Sequence, residues 1–122
     1  MISGEVAGSL QYAGAHLGTP LLLVMGHEGC GAVKASLETM VRGTRQRSRI
    51  QALVDGIVPG LSDLDLQLEP GELLSRAVEA NVRWTMRQIA ETPEAKAAVA
   101  EGRASLVGAI YELESGRVRI LE

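Results

Sequence analysis

Two residues in this chain of 122 carry side chains suited to holding a transition metal. They are His27 and Cys30, in Gly26-His27-Glu28-Gly29-Cys30-Gly31. Imidazole nitrogen and thiolate sulfur are both good zinc donors, and a spacing of three lets a single turn present both to one ion. The interspersed glycines let the backbone bend tightly beside that ion. The donor supply is nevertheless short. Cys30 is the one cysteine, and His16 is the one other histidine. Glu28 offers a weaker oxygen donor. A lone cysteine after an apolar run also serves as a small buried hydrophobe. On chemistry alone two readings stand: half of a metal site, or a structural pair.

The elements that must position this turn are marked by pattern and punctuation. Leu21-Leu22-Leu23-Val24-Met25 is apolar at every position, which predicts a strand buried on both faces and parallel to its neighbours. The segment 8–17 before it predicts a helix stopped by Gly18. After the turn, Val33, Leu37, Met40 and Val41 repeat at helical spacing and Gly43 ends the run. The turn thus joins the carboxyl end of a strand to the amino end of a helix, where open α/β sheets bind ligands. Arg42, Arg45, Arg47 and Arg49 form a basic stretch that reads as a solvated connector. Ser48 is placed to cap a short helix with Ile50, Leu53, Val54 and Ile57 on one stripe, ended by Pro59-Gly60. Residues 61–70 read as a linker whose Leu64, Leu66 and Leu68 recur at period two. Pro70-Gly71 opens the longest helix, to about Ala90, with Leu74, Val78, Val82 and Ile89 on its buried side. Thr92-Pro93 starts another. The segment 104–113 predicts a second apolar strand. Glu114-Ser115-Gly116 turns the chain, and residues 117–121 return as an alternating edge strand.

Composition narrows the function. Hydrophobic residues make up 46% and charged residues 22%, as in a soluble globular domain. With aromatics at 2% and no Phe, the core must be aliphatic. A net charge of -3 gives no basic footprint for nucleic acid, and no apolar run reaches the ~20 residues needed to span a membrane. The start of the chain has neither the basic nor the apolar region of a signal peptide. A single cysteine fits a reducing, cytoplasmic setting. The expected architecture is one α/β domain over residues 1–122: a small, mainly parallel sheet with a C-terminal hairpin, flanked by helices.

The order of several short motifs points further. Gly8-Ser9-Leu10-Gln11-Tyr12-Ala13, Leu17-Gly18 and the run from Pro20 to Gly31-Ala32-Val33 are followed by Asn81-Val82 and Gly102. Gly108-Ala109-Ile110-Tyr111 and Ser115-Gly116-Arg117-Val118 come last. Together they resemble the β-class carbonic anhydrase family over nearly the whole chain. In that family a helix opening Ser-Leu-x-Tyr-Ala precedes a strand that ends in Gly-His-x-x-Cys-Gly. The resemblance implies zinc held by two cysteines and one histidine, with His27 as the histidine ligand and Cys30 as the second cysteine. Gly31, beside them, is expected to face the substrate. It also implies a lyase activity, the reversible hydration of CO2 to bicarbonate, in which zinc makes hydroxide available near neutral pH.

The sequence departs from the family at one place. The family's first cysteine lies in a Cys-x-Asp-x-Arg motif on an earlier strand, and these 122 residues contain none. The expectation is therefore an N-terminally truncated form without one zinc ligand and without the Asp/Arg pair, so no catalytic residue is assigned. The missing strand would lie beside Leu21–Met25. A second copy, or another chain supplying the missing strands, is expected to cover that edge. The competing expectations are a catalytically inactive assembly or regulatory module, and a metal-free domain in which His27 and Cys30 are structural.

Overall fold

The computed structural model describes residues 2–122. The elements run α1 (Gly4–Leu17), β1 (Leu21–His27), α2 (Gly31–Arg42), α3 (Arg49–Ile57), a 3-10 turn (Val58–Leu61), α4 (Pro70–Ala90), α5 (Pro93–Ala100), β2 (Ser105–Tyr111) and β3 (Val118–Leu121). Their ends follow local chemistry. Ser3 caps α1 by accepting from the Val6 amide at 3.3 Å, and Gly18 closes it in the left-handed conformation at φ 61°. The Glu69 carboxylate accepts from the Gly71 and Glu72 amides at 3.0 and 3.1 Å, so α4 begins at Pro70. Those two bonds hold the Glu69 carboxyl below the usual carboxylate range. Thr92 caps α5 through the Ala95 amide.

The sheet has the order β1-β2-β3, with β1 parallel to β2 and β2 antiparallel to β3. Leu21 is opposite Ser105 and His27 is opposite Tyr111, so the whole of β1 is laddered to β2. α4 lies across one face of these two strands. It comes this close because Gly26 and Gly108 lack side chains. A Cβ on Gly26 would stand 2.7 Å from Val82 Cγ2, and one on Gly108 would stand 2.6 Å from Met86 Sδ. The core continues from this contact through Val33 and Leu37 of α2, Ile57 of α3, and Leu61, packed against Leu73, Ala77 and Val78 of α4. Trp84 fastens the 3-10 turn to α4. Its Nε1 donates to the Gly56 carbonyl at 3.1 Å, and its ring side chain fills the space that a side chain on Gly60 would need.

On the other sheet face the side chains of the two outer strands, β1 and β3, are largely bare, while Ala109 of the central strand is buried between them. Successive side chains of a strand alternate between faces. Leu21, Leu23 and Met25 of β1 are 51%, 47% and 51% exposed, and Val118 and Ile120 of β3 are 47% and 54% exposed. The all-apolar sequence of β1 predicts burial on both faces, but the strand alternates exposed and half-buried along its length. The reason is topological. β1 is an edge strand of this sheet, and α4 packs against one of its two faces.

Two further expectations are corrected. α3 does not bury Ile50 and Leu53. It buries Gln51, Val54 and Ile57 and turns the other two outward. Ser48 makes no capping hydrogen bond and sits at φ 54°, which rotates the helix start. On α4, Leu73 and Ala77 are buried and Leu74 is only partly so, because α4 meets α2 and the 3-10 turn as well as the sheet. Leu64, Leu66 and Leu68 form no strand, but all three pack against the core.

Candidate functional site

β1 ends at His27, and α2 begins at Gly31 with Cys30 as its N-cap residue. The turn between them is bolted to β2, since the Glu28 amide donates to the Tyr111 carbonyl at 3.0 Å. Gly29 takes φ +65°, a conformation that a residue with a Cβ adopts at a cost. Sequence reasoning ties this tight bend to the glycines but does not reveal the Tyr111 bond. That partner lies far along the chain and contributes only backbone, so no residue type signals it.

The His27 side chain is exposed, and it alternates in phase with Leu21, Leu23 and Met25. It therefore stands at the end of the bare face. His27 Nδ1 lies 2.9 Å from the Glu28 carbonyl oxygen. A carbonyl can only accept, so Nδ1 carries the proton, and in the neutral ring the lone pair is then on Nε2. This is the arrangement in which the free nitrogen serves as a metal ligand and a carbonyl behind it fixes the ring tautomer. Cys30 is half-buried against the edge of the core. Its carbonyl accepts from the Lys34 amide at 3.0 Å, while its side chain caps nothing. The space beside Gly31 is open, with no atom within 4 Å of where a Cβ would lie.

The turn supplies two donors. Among the described residues no group of three His, Cys, Asp or Glu side chains gathers that could hold a metal, so the Glu28 carboxylate does not complete a set with His27 and Cys30. A structural zinc site takes four ligands and a catalytic one at least three from protein. The described residues of one copy do not meet that requirement by themselves. His16 lies in the last turn of α1, where its ring stacks on exposed Tyr12 at 4.6 Å between centroids. A cleft of about 490 Å³ is lined by Leu10, Gly14, Leu22, Ile89, Ala95 and Ala98 among others, and by neither His27 nor Cys30. No helix among the described residues is long and apolar enough to cross a membrane.

Comparison with known proteins gives a consistent picture. The carbonic anhydrase family model matches residues 1–118. The chain is 32% identical over 124 residues to a carbonic anhydrase of Mycolicibacterium smegmatis, covering 98% of this chain and 58% of that protein. It is 31% identical over 121 residues to carbonic anhydrase 2 of Mycobacterium tuberculosis, covering 96% and 56%. Among solved structures, the β-carbonic anhydrase CcaA superposes with a TM-score of 0.82 at 24% identity, over 99% of this chain and 55% of that one. One of two tetrameric β-carbonic anhydrases from Sordaria macrospora gives 0.84 at 20% identity, over 98% and 60%. A Coccomyxa β-carbonic anhydrase in complex with acetazolamide gives 0.83 at 25% identity, over 95% and 53%. The chain spans a little over half the length of the curated relatives it matches.

Proposed function

Since the chain belongs to the carbonic anhydrase family, and by its fold to the β class, we propose that it carries part of a zinc site for the reversible hydration of CO2 to bicarbonate. In this reading His27 and Cys30 are two of the ligands, and Gly31 borders the space where the small substrate sits. One observation carries it above the others. His27 has its Nδ1 tied to the Glu28 carbonyl and its Nε2 free, at the head of a turn that also presents Cys30.

In this reading the remaining donors come from outside this copy of the chain. A second copy, or a separate polypeptide segment, is the proposed source, and the bare face that ends at His27 is the proposed place of contact. Leu21, Leu23, Met25, Val107, Ala109, Val118 and Ile120 lie on this face, with Ser105 at one end, His27 and Tyr111 at the other, and no Asp, Glu, Lys or Arg. The face is therefore apolar enough to be buried without stranding a charge. One β-class relative of the same fold is described as tetrameric, which supports association of copies.

The two-donor count favours a second reading, in which the chain is a catalytically inactive assembly or regulatory module. Metal analysis of the purified chain, alongside Cys30→Ser, separates the two when paired with stopped-flow CO2 hydration in added zinc. The enzyme reading expects zinc bound in the wild type, lost in the variant, and a rate above buffer that falls with it. Zinc bound without a rate above buffer supports the module. No zinc, and no difference between the two proteins, removes the metal from both.

A further inference from the structure

A second surface stands apart from the His27–Cys30 turn. Between Glu38 and Asp55 the chain contains no acidic residue, yet it contains Arg42, Arg45, Arg47 and Arg49. The chain as a whole carries -3, so everything outside this segment is more acidic still. All four arginines are exposed. Arg76, Arg83, Arg103 and Arg119 each have a carboxylate oxygen within 3.5 Å. Among the described residues, none of the four in this segment has one.

The connection that holds them is fastened from within. Thr39 Oγ1 donates to the Thr44 carbonyl at 2.7 Å, and the Gln46 amide donates to Gln51 Oε1 at 2.8 Å. Gln51, buried, donates in turn to Asp55 Oδ1 at 2.7 Å. Gln46 is half-buried and the residues around it point outward. Alongside lie exposed aliphatic side chains: Val41 at the end of α2, and Ile50 and Leu53 on α3. Ile50 and Leu53 are three apart and share the outer face of the helix, and Arg49 is one turn before Leu53. Guanidinium groups thus flank an aliphatic stripe that the chain leaves uncovered.

We propose that this surface, from Val41 to Leu53, docks an acidic amphipathic segment of another protein. Its aliphatic residues would lie along Ile50 and Leu53, and its carboxylates would pair with the four guanidiniums. Charge complementarity carries the choice, because arginine forks bind carboxylates bidentately. Two features argue against other anionic partners. The segment holds no Trp, Tyr or Phe, so it lacks both the platform on which nucleic-acid bases stack and the aromatic anchors of a membrane interface. The clefts around Leu22, Ile89 and Ala95 include none of it, and an open surface of this kind suits a helix laid on it better than a ligand enclosed in a pocket.

The test uses fluorescence anisotropy with a labelled, helix-forming peptide that carries a Leu pair three apart, flanked by four Glu. A second peptide has Gln in place of each Glu. The intact chain should bind the Glu peptide, less tightly as salt rises, and bind the Gln peptide at least about tenfold more weakly. Arg45→Glu with Arg47→Glu should lower affinity for the Glu peptide by a similar factor, while Arg76→Glu on α4 should not. Ile50→Ser with Leu53→Ser should weaken binding without changing its salt dependence. These positions are exposed, and an unchanged melting profile confirms that each variant folds. Equal binding of the two peptides, wild-type binding by the Arg45/Arg47 variant, or no binding at all overturns the proposal. So does sedimentation with anionic phosphatidylglycerol vesicles by a chain that ignores the peptide. None of these outcomes depends on zinc.

Discussion

Two glycines only five positions apart should respond in opposite ways to the same substitution. A Cβ on Gly26 falls 2.7 Å from Val82 Cγ2, 3.2 Å from Val78 Cγ1 and 3.5 Å from Ile110 Cδ1, inside the contact between α4 and the sheet. Val82 and Val78 are buried, so neither can swing away. Overpacking of this kind costs about 1–3 kcal/mol. At roughly 2.1 cal/mol/K per residue, a chain of this length unfolds with an entropy of about 0.26 kcal/mol/K, so each kcal/mol moves Tm by about 4 °C. Gly26→Ala should therefore lower Tm by about 4–12 °C. Gly31→Ala meets open space at the first position of α2. There the alanine restricts the unfolded chain and favours the helix, so Tm should rise by about 2–4 °C. Thermal melts followed by circular dichroism, on the same preparation of each protein, make the comparison. A Gly26→Ala protein that melts within about a degree of wild type would refute the close approach of α4. A Gly31→Ala protein that loses as much as Gly26→Ala would refute the open space beside the turn.

Three other outcomes follow from features described above. Burying the five half-exposed aliphatics of the bare face is worth about 4–8 kcal/mol per copy at 1.5–3 kcal/mol for a whole side chain. Leu23→Glu places a charge in their midst, and analytical ultracentrifugation should show an associated wild type and a dissociated variant; a monomeric wild type would remove the interface. Trp84→Phe leaves the Gly56 carbonyl without its donor, and urea unfolding should report a loss of about 1–2 kcal/mol. The Glu69 carboxyl is lowered in the folded chain, so its contribution is present above the unfolded value of 4.5 and lost as pH falls through the lower folded value. Glu69→Gln should therefore be less stable than wild type at pH 7 and match it in strong acid. A gap between the two that persists at low pH would rule out the charge as its origin.

What could be read from the sequence follows a physical line. Gly18, Gly43, Pro70 and Thr92-Pro93 act within a few residues of themselves, and the helix ends they mark lie where the glycines, prolines and caps put them. The bend of the Gly-His-x-x-Cys-Gly turn was legible for the same reason, because the glycines that allow it are adjacent residues. Burial of β1 was not. Leu21–Met25 is apolar at every position, and whether such a strand is covered depends on what lies beside it, which a strand's own residues do not record. The phase of α3 was missed because Ser48 adopts φ 54° and the buried Gln51 is satisfied by Gln46 and Asp55. A polar residue at a core position looks like a surface residue until its partners are placed. No third donor gathers beside His27 and Cys30 among the described residues.

The ladder between β1 and β2 also sets a timetable. Leu21 pairs with Ser105 and His27 with Tyr111, so β1 leaves the ribosome long before its partner exists. At about 5–20 residues per second, several seconds pass before β2 is made. During that interval a strand of Leu, Val and Met has neither a ladder on either side nor α4 beneath it for much of the time. Pairings this distant in sequence form slowly even once both strands are present. The nascent chain is thus a natural client for a chaperone that shields extended apolar segments, and expression yield should depend on such help more than the stability of the finished fold would suggest.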